Sequence, residues 1–527
     1  MMKETGVEGV VFTRSASGLV RELSWWDVFI ISTAAPAGSG ILYFSVSTAS
    51  AYPGGSIGLA FLLGMVMYLP ICLMAALLST AMPRSASLYV SISRFIDPTV
   101  AYIAGLLFLV GHSISAGVLG HVIMKIIGGI LISSGIASGN AFLKHIGTSL
   151  QTPFWSIVGG ILWVFVFWGI TLLGARPFKK MMRIVFIIPV IATVIAILYF
   201  LFSGPVGAVG AFNHSWGSEA YQKILAAANA NGWVSAKFSW SATFGLLLVV
   251  AWAYNGIEMA SYAGGEIKTP KKSMVRGFMW GWAAVGLLYI ILAAAVFRPF
   301  GSFIGAYDFL YNNHPEVLQT IMPAISTSVP FFVLSLLKNS WLGIAIALGM
   351  ALWFANTILP IFLSNSRLVF ALAMDRAVPQ RMADVSPRTG APTWATHLTA
   401  ILAVGGVFFS IFNVKVVLGT LMFATLFIFW LYGLSAMLFP YRRPDIYEKC
   451  PIKTKIFGIP LVTLAGFITF VVGWFFLFLS AREITIPVAI VLTLLIFMGM
   501  ILYISQYASN RRKGVNISKI YSEIPPE

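Results

Sequence analysis

The chain has 527 residues, of which 59% are hydrophobic and only 10% are charged. Soluble domains contain about 25% charged residues, so this composition excludes a large soluble domain and predicts a protein mostly covered by lipid. The net charge of +17 would be compatible with nucleic-acid binding, but the positions of the basic residues have a different explanation.

The chain begins with a polar segment of mixed charge, residues 1–22, which runs directly into an apolar stretch too long for a signal-peptide core. Because a helix needs about 20 apolar residues to cross the hydrocarbon core, twelve spanning helices are predicted. Their approximate positions are 26–46, 57–81, 99–131, 154–173, 184–202, 242–263, 279–296, 341–371, 393–412, 417–438, 459–479 and 486–503. The longer polar segments 204–238 and 298–338 are predicted to be loops.

Basic residues are concentrated in every second predicted loop, and this distribution indicates how the chain is oriented in the membrane. Cytoplasmic loops retain basic residues, and with the N-terminus inside, 26 of the 34 basic residues fall in inside loops. This split predicts a cell-membrane protein with both termini cytoplasmic, and nucleic-acid binding is not needed to explain the charge. Asn213 begins a glycosylation-type sequon in an external loop, a pattern that is also common by chance. The eight basic residues on the outside are Lys125, Lys144, Lys223, Lys237, Arg298, Lys338, Lys415 and Arg482.

Pro36, Gly38 and Gly40 lie near the middle of the first predicted span. Pro36 lacks a backbone donor, and the glycines lower the cost of leaving helical geometry. Two interpretations remain open from these residues. The glycines can form a face for close helix packing. Alternatively, the helix unwinds here, which a membrane tolerates only where protein or a watery cavity covers the backbone.

The sixth span carries Asn255 and Gly256 at a similar depth, followed by Glu258. Such residues are costly inside a membrane, and two interrupted helices, each opening a block of about five spans, are typical of inverted-repeat transporters. A half-helix beginning past Gly40 would attract a carboxylate with its amides and dipole. Carbonyls before Gly38 and around Trp252 would suit an ammonium group. A zwitterion fits both, so an amino acid is the predicted substrate.

Four segments then point to a known family. The chain resembles the amino acid–polyamine–organocation (APC) transporters from about residue 24 to residue 506, on motifs at 38–41, 82–90, 263–270 and 366–379. The resemblance implies an all-α integral membrane fold of the LeuT type, with two inverted five-helix repeats and two C-terminal helices. The implied organisation is a cytoplasmic tail at 1–24, a first repeat at 25–203, an external loop at 204–240, a second repeat at 241–440, the last two helices at 441–505 and a cytoplasmic tail at 506–527.

The resemblance also implies a substrate site at the two breaks. Backbone amides of Ser39, Gly40 and Ile41 would hold the substrate carboxylate, and carbonyls near Ala37, Trp252 and Asn255 its amino group. Trp252 also matches an aromatic gate of arginine-exchanging relatives. The implied substrate-binding set is Ala37, Gly38, Ser39, Gly40, Ile41, Trp252, Tyr254, Asn255 and Gly256.

Three features bear on ion coupling. Glu258 falls where relatives place an acidic residue that senses protons, although a charge stabilising the following half-helix explains it equally well. Some proton-coupled relatives carry a lysine in the fifth helix, where this chain has Pro189. A sodium ion would instead use carbonyls of the first helix with Ser364 or Ser366, unless these hydroxyls only bond their own helix. The coupling ion is therefore expected to be H+ or Na+.

Other polar residues in the spans are secondary candidates. His112 is the better pocket candidate of the two histidines in the third span, although a neutral histidine bonded to a neighbouring helix is commoner. Trp353 and Asn356 would line the site or pack between helices. Glu258 is the only carboxylate predicted deep in a span, so a pocket for cationic side chains would depend on it; otherwise a neutral amino acid is expected.

The predicted function is a secondary active transporter that moves amino acids by alternating access, driven by an ion gradient or by exchange. The alternatives are a non-transporting amino-acid sensor of the same fold and a carrier of polyamines or other organic cations. The spans show no cluster of catalytic groups for an enzyme, no P-loop for a pump and too few charged residues for a proton relay. Cys72 and Cys450 suggest neither a disulfide framework nor a thiolate metal site. No cofactor, metal or nucleic-acid partner is expected, and the oligomeric state is left open.

Overall fold

The computed structural model describes residues 18–412 and 414–525, so the first 17 residues of the predicted N-terminal tail lie outside it. Twelve helices within the described ranges are long and apolar enough to span a membrane, which confirms the predicted number and the all-α multi-pass fold. These helices, called spans 1 to 12, are Trp25–Phe44, Ile57–Ala81, Pro98–Ser138, Pro153–Leu172, Ala175–Phe202, Trp240–Tyr262, Pro270–Phe300, Trp341–Met374, Thr393–Ile411, Gly419–Arg442, Leu461–Arg482 and Ile486–Arg512.

Span 3 illustrates how local sequence sets the ends of a helix. Asp97 precedes Pro98 at the first helical position, and the Asp97 carboxylate accepts bonds from the amides of Thr99 and Val100 at 2.7 and 3.1 Å. The helix ends at Gly139, whose φ of +64° favours glycine. Its 41 residues correspond to about 60 Å. Span 3 therefore extends well beyond the hydrocarbon core and beyond its predicted end.

The two predicted loops contain helices, which corrects the sequence-based expectation. These segments pack their apolar residues against the ends of the spans, so they are ordered although too short to cross a membrane. The segment after span 5 forms Pro205–Trp216 and Ala220–Ala230, and the segment after span 7 forms Phe303–Asn313, Pro315–Gln319 and Val329–Leu336.

The remaining short elements lie between other spans or after the last one. Ala141–Gln151 follows span 3, and Ser87–Phe95 follows span 2. A two-residue antiparallel ladder pairs Lys455–Ile456 with Ile459–Pro460. The other short elements are Gly264–Glu266, Gln380–Ala383, Pro444–Tyr447 and Ile517–Ser522.

Burial separates central spans from peripheral ones. The most apolar windows of spans 1 and 8 are 78% and 72% buried, whereas that of span 12 is only 17% buried. Apolar side chains exposed on span 12, such as Leu494 and Ile501, therefore form a lipid-facing surface. Spans 1 and 8 form the centre of the molecule.

Contacts between spans follow a pattern that repeats after five helices. Span 5 packs on spans 7 and 8, and span 10 packs in the same way on spans 2 and 3. Likewise, span 4 contacts span 8 as span 9 contacts span 3. Two equivalent blocks of five helices would give such a pattern, and an odd number of spans in each would place the blocks in opposite orientations. The pattern agrees with the two repeats that the resemblance implies.

Glycine allows spans 3 and 9 to touch through their backbones. A Cβ added to Gly117 would lie 1.9 Å from the carbonyl oxygen of Ala403, and one added to Gly406 would lie 2.2 Å from that of Ile114. Small residues of this kind bring helices together in membranes, where the hydrophobic effect does not drive helix association.

The described loops form two faces. The terminal face contains the first and last segments that the structure describes: Arg176 donates to Glu22, and the backbone carbonyl of Pro525 accepts a bond from Arg84. The opposite face holds the helices between spans 7 and 8, where Ser50 bonds Asp308.

Candidate functional site

Span 1 does not break in the way that its sequence predicts. An α-helix from Trp25 to Ser39 continues directly as a π-helix from Gly40 to Phe44. Gly40 itself has helical dihedral angles (φ −62°, ψ −47°), and its amide donates to Ala37. The expected half-helix with free amides does not begin past Gly40. The prediction of an unwound carboxylate cradle is therefore wrong for the conformation described here.

A side chain from span 8 distorts span 1 instead. The amide of Gly38 donates to Thr357 Oγ1 at 3.2 Å, and the Thr357 hydroxyl is 3.1 Å from the carbonyl of Ala34. The hydroxyl is also 3.1 Å from the carbonyl of Trp353 on its own helix, so it lies between span 8 and the turn from Ala34 to Gly38 of span 1. Insertion of a side chain next to a helix turn is a recognised cause of helix distortion. A Cβ on Gly38 would lie 2.5 Å from Thr357 Oγ1. Gly38 therefore makes room for Thr357.

Tyr289 of span 7 connects the distorted part of span 1 to the end of a helix in span 6. Its hydroxyl lies 2.7 Å from the carbonyl oxygens of both Pro36 and Ala253. One hydroxyl hydrogen serves one of these acceptors at a time. A Cβ on Gly40 would lie 2.3 Å from Tyr289 Cζ. The glycine thus accommodates an aromatic ring, which supports the helix-packing interpretation for Gly40.

The predicted interruption of span 6 is confirmed. The helix Leu247–Ala253 ends, Tyr254 and Asn255 form a turn, and a 3₁₀-helix resumes at Ile257. Gly256 joins the two parts with a φ of +99°, in the left-handed region that favours glycine. This backbone break exposes the side chains of Trp252 and Asn255 to a cavity.

A cavity of about 470 Å³ lies between spans 1, 3, 6 and 8 and the helices after span 7. Its volume is within the range of small-molecule sites. Four residues predicted from the sequence line it, and they are Ser39, His112, Trp252 and Asn255. Sequence reasoning missed other lining residues, namely Ala35, Tyr43, Phe44, Ser47, Ser115, Val118, Leu119, Val122, Met259, Asp308, Tyr311, Asn312, Ser326, Thr327, Phe354, Thr357 and Ile361.

Several predicted residues do not line this cavity. Tyr254 is buried and donates to the carbonyl of Phe61 at 3.0 Å. Ser364 and Ser366 donate to carbonyls of their own helix, so the proposed sodium ligands make ordinary helix contacts here. The remaining predicted residues outside the lining are Ala37, Gly38, Gly40, Ile41, Gly256 and Glu258.

His112 and Asn255 bring polar atoms to the cavity. His112 Nδ1 lies 3.1 Å from the carbonyl of Phe108, which assigns the proton of a neutral ring to Nδ1. Within the described chain, His112 Nε2 and Asn255 Oδ1 are buried without a hydrogen-bond partner. Buried polar atoms normally have partners. The two side chains also lie close enough to interact with each other, so a polar ligand at the break of span 6 would contact them as a pair.

Asp308 supplies the carboxylate of the cavity. It lies in Phe303–Asn313, and its Oδ2 accepts bonds from Ser50 Oγ and the Ser50 amide at 2.5 and 3.2 Å. Burial raises the pKa of Asp308, although the bonds from Ser50 oppose this shift. A sequence signal existed, because apolar residues at 303, 304, 307 and 310 have helical spacing around this acid.

Glu258 occupies a separate environment. It is fully buried, and its two carboxylate oxygens have no hydrogen-bonding side chain among the described residues. It lies within electrostatic range of Tyr68 and Cys72 on span 2 and Tyr432 on span 10. The carboxylate expected to recognise cationic side chains is therefore directed away from the cavity.

Trp353 and Asn356 also lie outside the cavity. Trp353 Nε1 donates to Thr193 Oγ1 on span 5 at 2.8 Å, and Asn356 is fully buried. The cavity face of span 8 instead carries Phe354 and Thr357. Helix packing is the interpretation that the structure supports for this pair.

Buried ion pairs close the terminal face below the cavity. Arg367 holds Glu266 with two bonds of 2.5 and 3.0 Å, and both side chains are 2% exposed. Arg94 pairs with Asp375, which also accepts a bond from Tyr89 at 3.0 Å. The motif segments 82–90, 263–270 and 366–379 thus meet at one place.

Access to the cavity is from the opposite face. Asn312 at that end is exposed, and Ser39 and Asn255 at the inner end remain partly accessible. Below them, Glu258 and Ser261 are fully buried. The arrangement is open on one side and closed on the other.

A second cavity of about 680 Å³ lies at the opposite face between span 2, span 7 and Trp233. Its lining has no charged side chain. The lining also does not include the break in span 6 or the distorted part of span 1. Although larger, it lacks the convergent polar groups that specify a substrate.

The comparison with protein families agrees with this arrangement. Residues 23–502 match the family described as Amino acid permease. The chain belongs to this family. The permease is therefore a multi-pass membrane protein of amino-acid transport, and both its family and its named relatives are transporters rather than enzymes.

Three relatives show how broad the similarity is. The branched-chain amino acid permease BcaP of Bacillus subtilis is 22% identical over 475 residues, covering 88% of this chain and 91% of the relative. The D-serine/D-alanine/glycine transporter of Escherichia coli is 23% identical over 303 residues, with 55% and 56% covered. The vacuolar cationic amino acid transporter 8 of Arabidopsis thaliana is 25% identical over 219 residues, with 41% and 33% covered.

Proposed function

We propose that the permease is a secondary active transporter that binds an amino acid in the central cavity and moves it by alternating access. The observation that supports this most directly is the cavity at the break of span 6, open to one face and closed by buried ion pairs at the other. An alternating-access carrier requires such an asymmetric state. Substrate binding near Asn255 would couple the span 6 break to the closure below it.

We propose that an ion gradient or exchange drives transport. Glu258 is the candidate for H+ because an ionised carboxylate without a partner is costly in a fully buried position. Ser364 and Ser366 remain the candidates for Na+. Uptake under a proton gradient, a sodium gradient or internal amino acid distinguishes these cases, and Glu258→Gln should remove only a proton-driven component.

The test of the proposal is uptake into proteoliposomes across the common amino acids. Asn255→Leu should reduce uptake at least about tenfold, because it removes polar contacts and fills the cavity. Thr463→Leu on span 11, a polar-to-leucine change away from the cavity lining, should leave uptake unchanged. Binding without accumulation would support a sensor, while uptake of diamines but not amino acids would support a carrier of organic cations. Full uptake by Asn255→Leu would refute the site.

We propose that the terminal face is cytoplasmic, on the basis of the basic residues in its loops. In intact cells, an impermeant maleimide should label Glu316→Cys on the opposite face, whose native side chain is 70% exposed. It should label Lys453→Cys only after permeabilisation. Background is expected to be low, because Cys72 is fully buried and burial raises the pKa of the Cys450 thiol to about 11. The reverse labelling pattern would overturn the orientation.

A further inference from the structure

The charges that line the central cavity are strongly unbalanced. Asp308 is its only carboxylate, and the described lining contains neither lysine nor arginine. Acidic side chains are rarely buried unless they are paired. Asp308 is nevertheless fully buried, which leaves a negative group in the cavity without a cation from the lining.

The contacts of Asp308 leave room for a ligand. Ser50 supplies two donors to Oδ2, and Asn312 supplies one to Oδ1 at 3.0 Å. An ionised carboxylate has about four acceptor positions, and the hydroxyl of Thr327, which is 1% exposed on the cavity wall, lies within hydrogen-bonding reach of the fourth. A hydroxyl can rotate and its oxygen has two lone pairs. Thr327 can therefore release that position to a cationic donor and accept a bond from the same donor.

The cavity is long enough to separate two ends of a substrate. Ser39 lines it from span 1, and Ser47 lines it from the turn that follows the π-helical end of that span, eight positions further along the chain. Asp308 lies beyond Ser47, bonded to Ser50. An extended arginine measures about 10 Å between its carboxylate and its guanidinium, and a hydrogen bond adds about 3 Å at each end. A long cationic amino acid therefore holds its side-chain charge far enough from its carboxylate for the two groups to contact different residues of the cavity lining.

We propose that Asp308 is the cation-recognition residue of this cavity and that the preferred substrates are amino acids with a cationic side chain. This inference rests on the proposed function. The α-amino and carboxylate groups lie near Asn255 and His112, and the side-chain ammonium or guanidinium bonds Asp308 and Thr327. Glu258, which the sequence indicated for this role, does not contribute.

A structural role for Asp308 makes a different prediction. Its bonds to Ser50 connect the helix Phe303–Asn313 to the segment after span 1. If this connection is the sole role of Asp308, its loss weakens binding of every substrate equally. Cation recognition instead predicts a loss confined to substrates with a charged side chain.

The experiment compares arginine with citrulline, and lysine with norleucine, because each pair has similar shape but differs in side-chain charge. Binding and uptake are measured with the full chain in proteoliposomes. The wild type should favour the charged member roughly 10- to 100-fold, as expected for a charge-assisted bond in a buried site. Asp308→Asn should reduce arginine to the level of citrulline without changing citrulline. Glu316→Gln, which neutralises an exposed acid nearby, should change neither.

A second variant keeps the test informative if Asp308→Asn does not fold. Asn312→Lys places a cation beside Asp308 from an exposed position, and it should remove the preference for arginine while citrulline still binds. Equal loss of arginine and citrulline in either folded variant, or no preference in the wild type, would overturn the inference. Absence of uptake for all four amino acids, and for the common amino acids, would instead refute the proposed transport function.

Discussion

Replacing Arg367 with methionine is expected to lower the free energy of unfolding by about 3–5 kcal/mol, because it leaves the Glu266 carboxylate buried and unpaired. Both side chains of this pair are 2% exposed, and two hydrogen bonds join them. The loss is measured as reduced resistance to thermal or chemical unfolding of the detergent-solubilised protein. Transport should fall as well, since the pair closes the terminal face.

Two variants test the physical reason. The double replacement Arg367→Met with Glu266→Met should recover much of the lost stability, because no buried charge then remains. Arg443→Met breaks the more exposed pair with Asp445, where the carboxylate is 58% exposed, and should cost less than about 1 kcal/mol. An equal cost for the two arginines would contradict the assignment of Arg367 and Glu266 as a buried closure.

The positions of the spans could be predicted from the sequence, because a membrane requires long apolar segments whatever the rest of the fold does. The break in span 6 could be predicted for a related reason, since Asn255 and Gly256 are costly in a regular membrane helix. Both inferences depend on residues that are neighbours in the chain. Ser39, His112, Trp252 and Asn255 line one cavity as the sequence led us to expect.

The features that were missed depend on residues far apart in the chain. Thr357 accepts a bond from the Gly38 amide across 319 positions, next to the point where the α-helix of span 1 becomes a π-helix. Asp308 meets Ser50 across 258 positions, in a segment too short for a membrane span and therefore predicted as a loop. Neither contact has a local signature. Gly38 and Gly40 could be identified in the sequence, but the side chains that pack against them, Thr357 and Tyr289, could not.

The motifs that carry the family resemblance also combine a feature that the sequence predicts with one that it does not. Their order along the chain could be read from the sequence, whereas their meeting point could not. In the fold, Glu266, Arg367, Asp375 and Tyr89 come from three separate motif segments and meet at the terminal face. The motif residues thus form the closure below the cavity, while Asp308, which belongs to none of these motifs, lies toward its opening.

Gly40→Ala is expected to abolish most amino-acid uptake, because its Cβ would lie 2.3 Å from Tyr289 Cζ and 2.5 Å from the Tyr289 hydroxyl. Overpacking of this kind typically costs 1–3 kcal/mol. Here it would also displace the hydroxyl that contacts Pro36 and Ala253, so spans 1 and 6 would lose their common anchor. Uptake in proteoliposomes and unfolding in detergent measure the two effects.

The double-mutant cycle with Tyr289→Leu separates packing from substrate binding. If Gly40 accommodates the tyrosine ring, Gly40→Ala should cost much less in the Tyr289→Leu background, because the smaller side chain leaves room for the methyl group. If Gly40 instead presents its backbone to the substrate, the cost should be the same in both backgrounds. Gly405→Ala is the matched control: its added Cβ meets no atom within 4 Å, so it should leave uptake intact and favour the helix slightly.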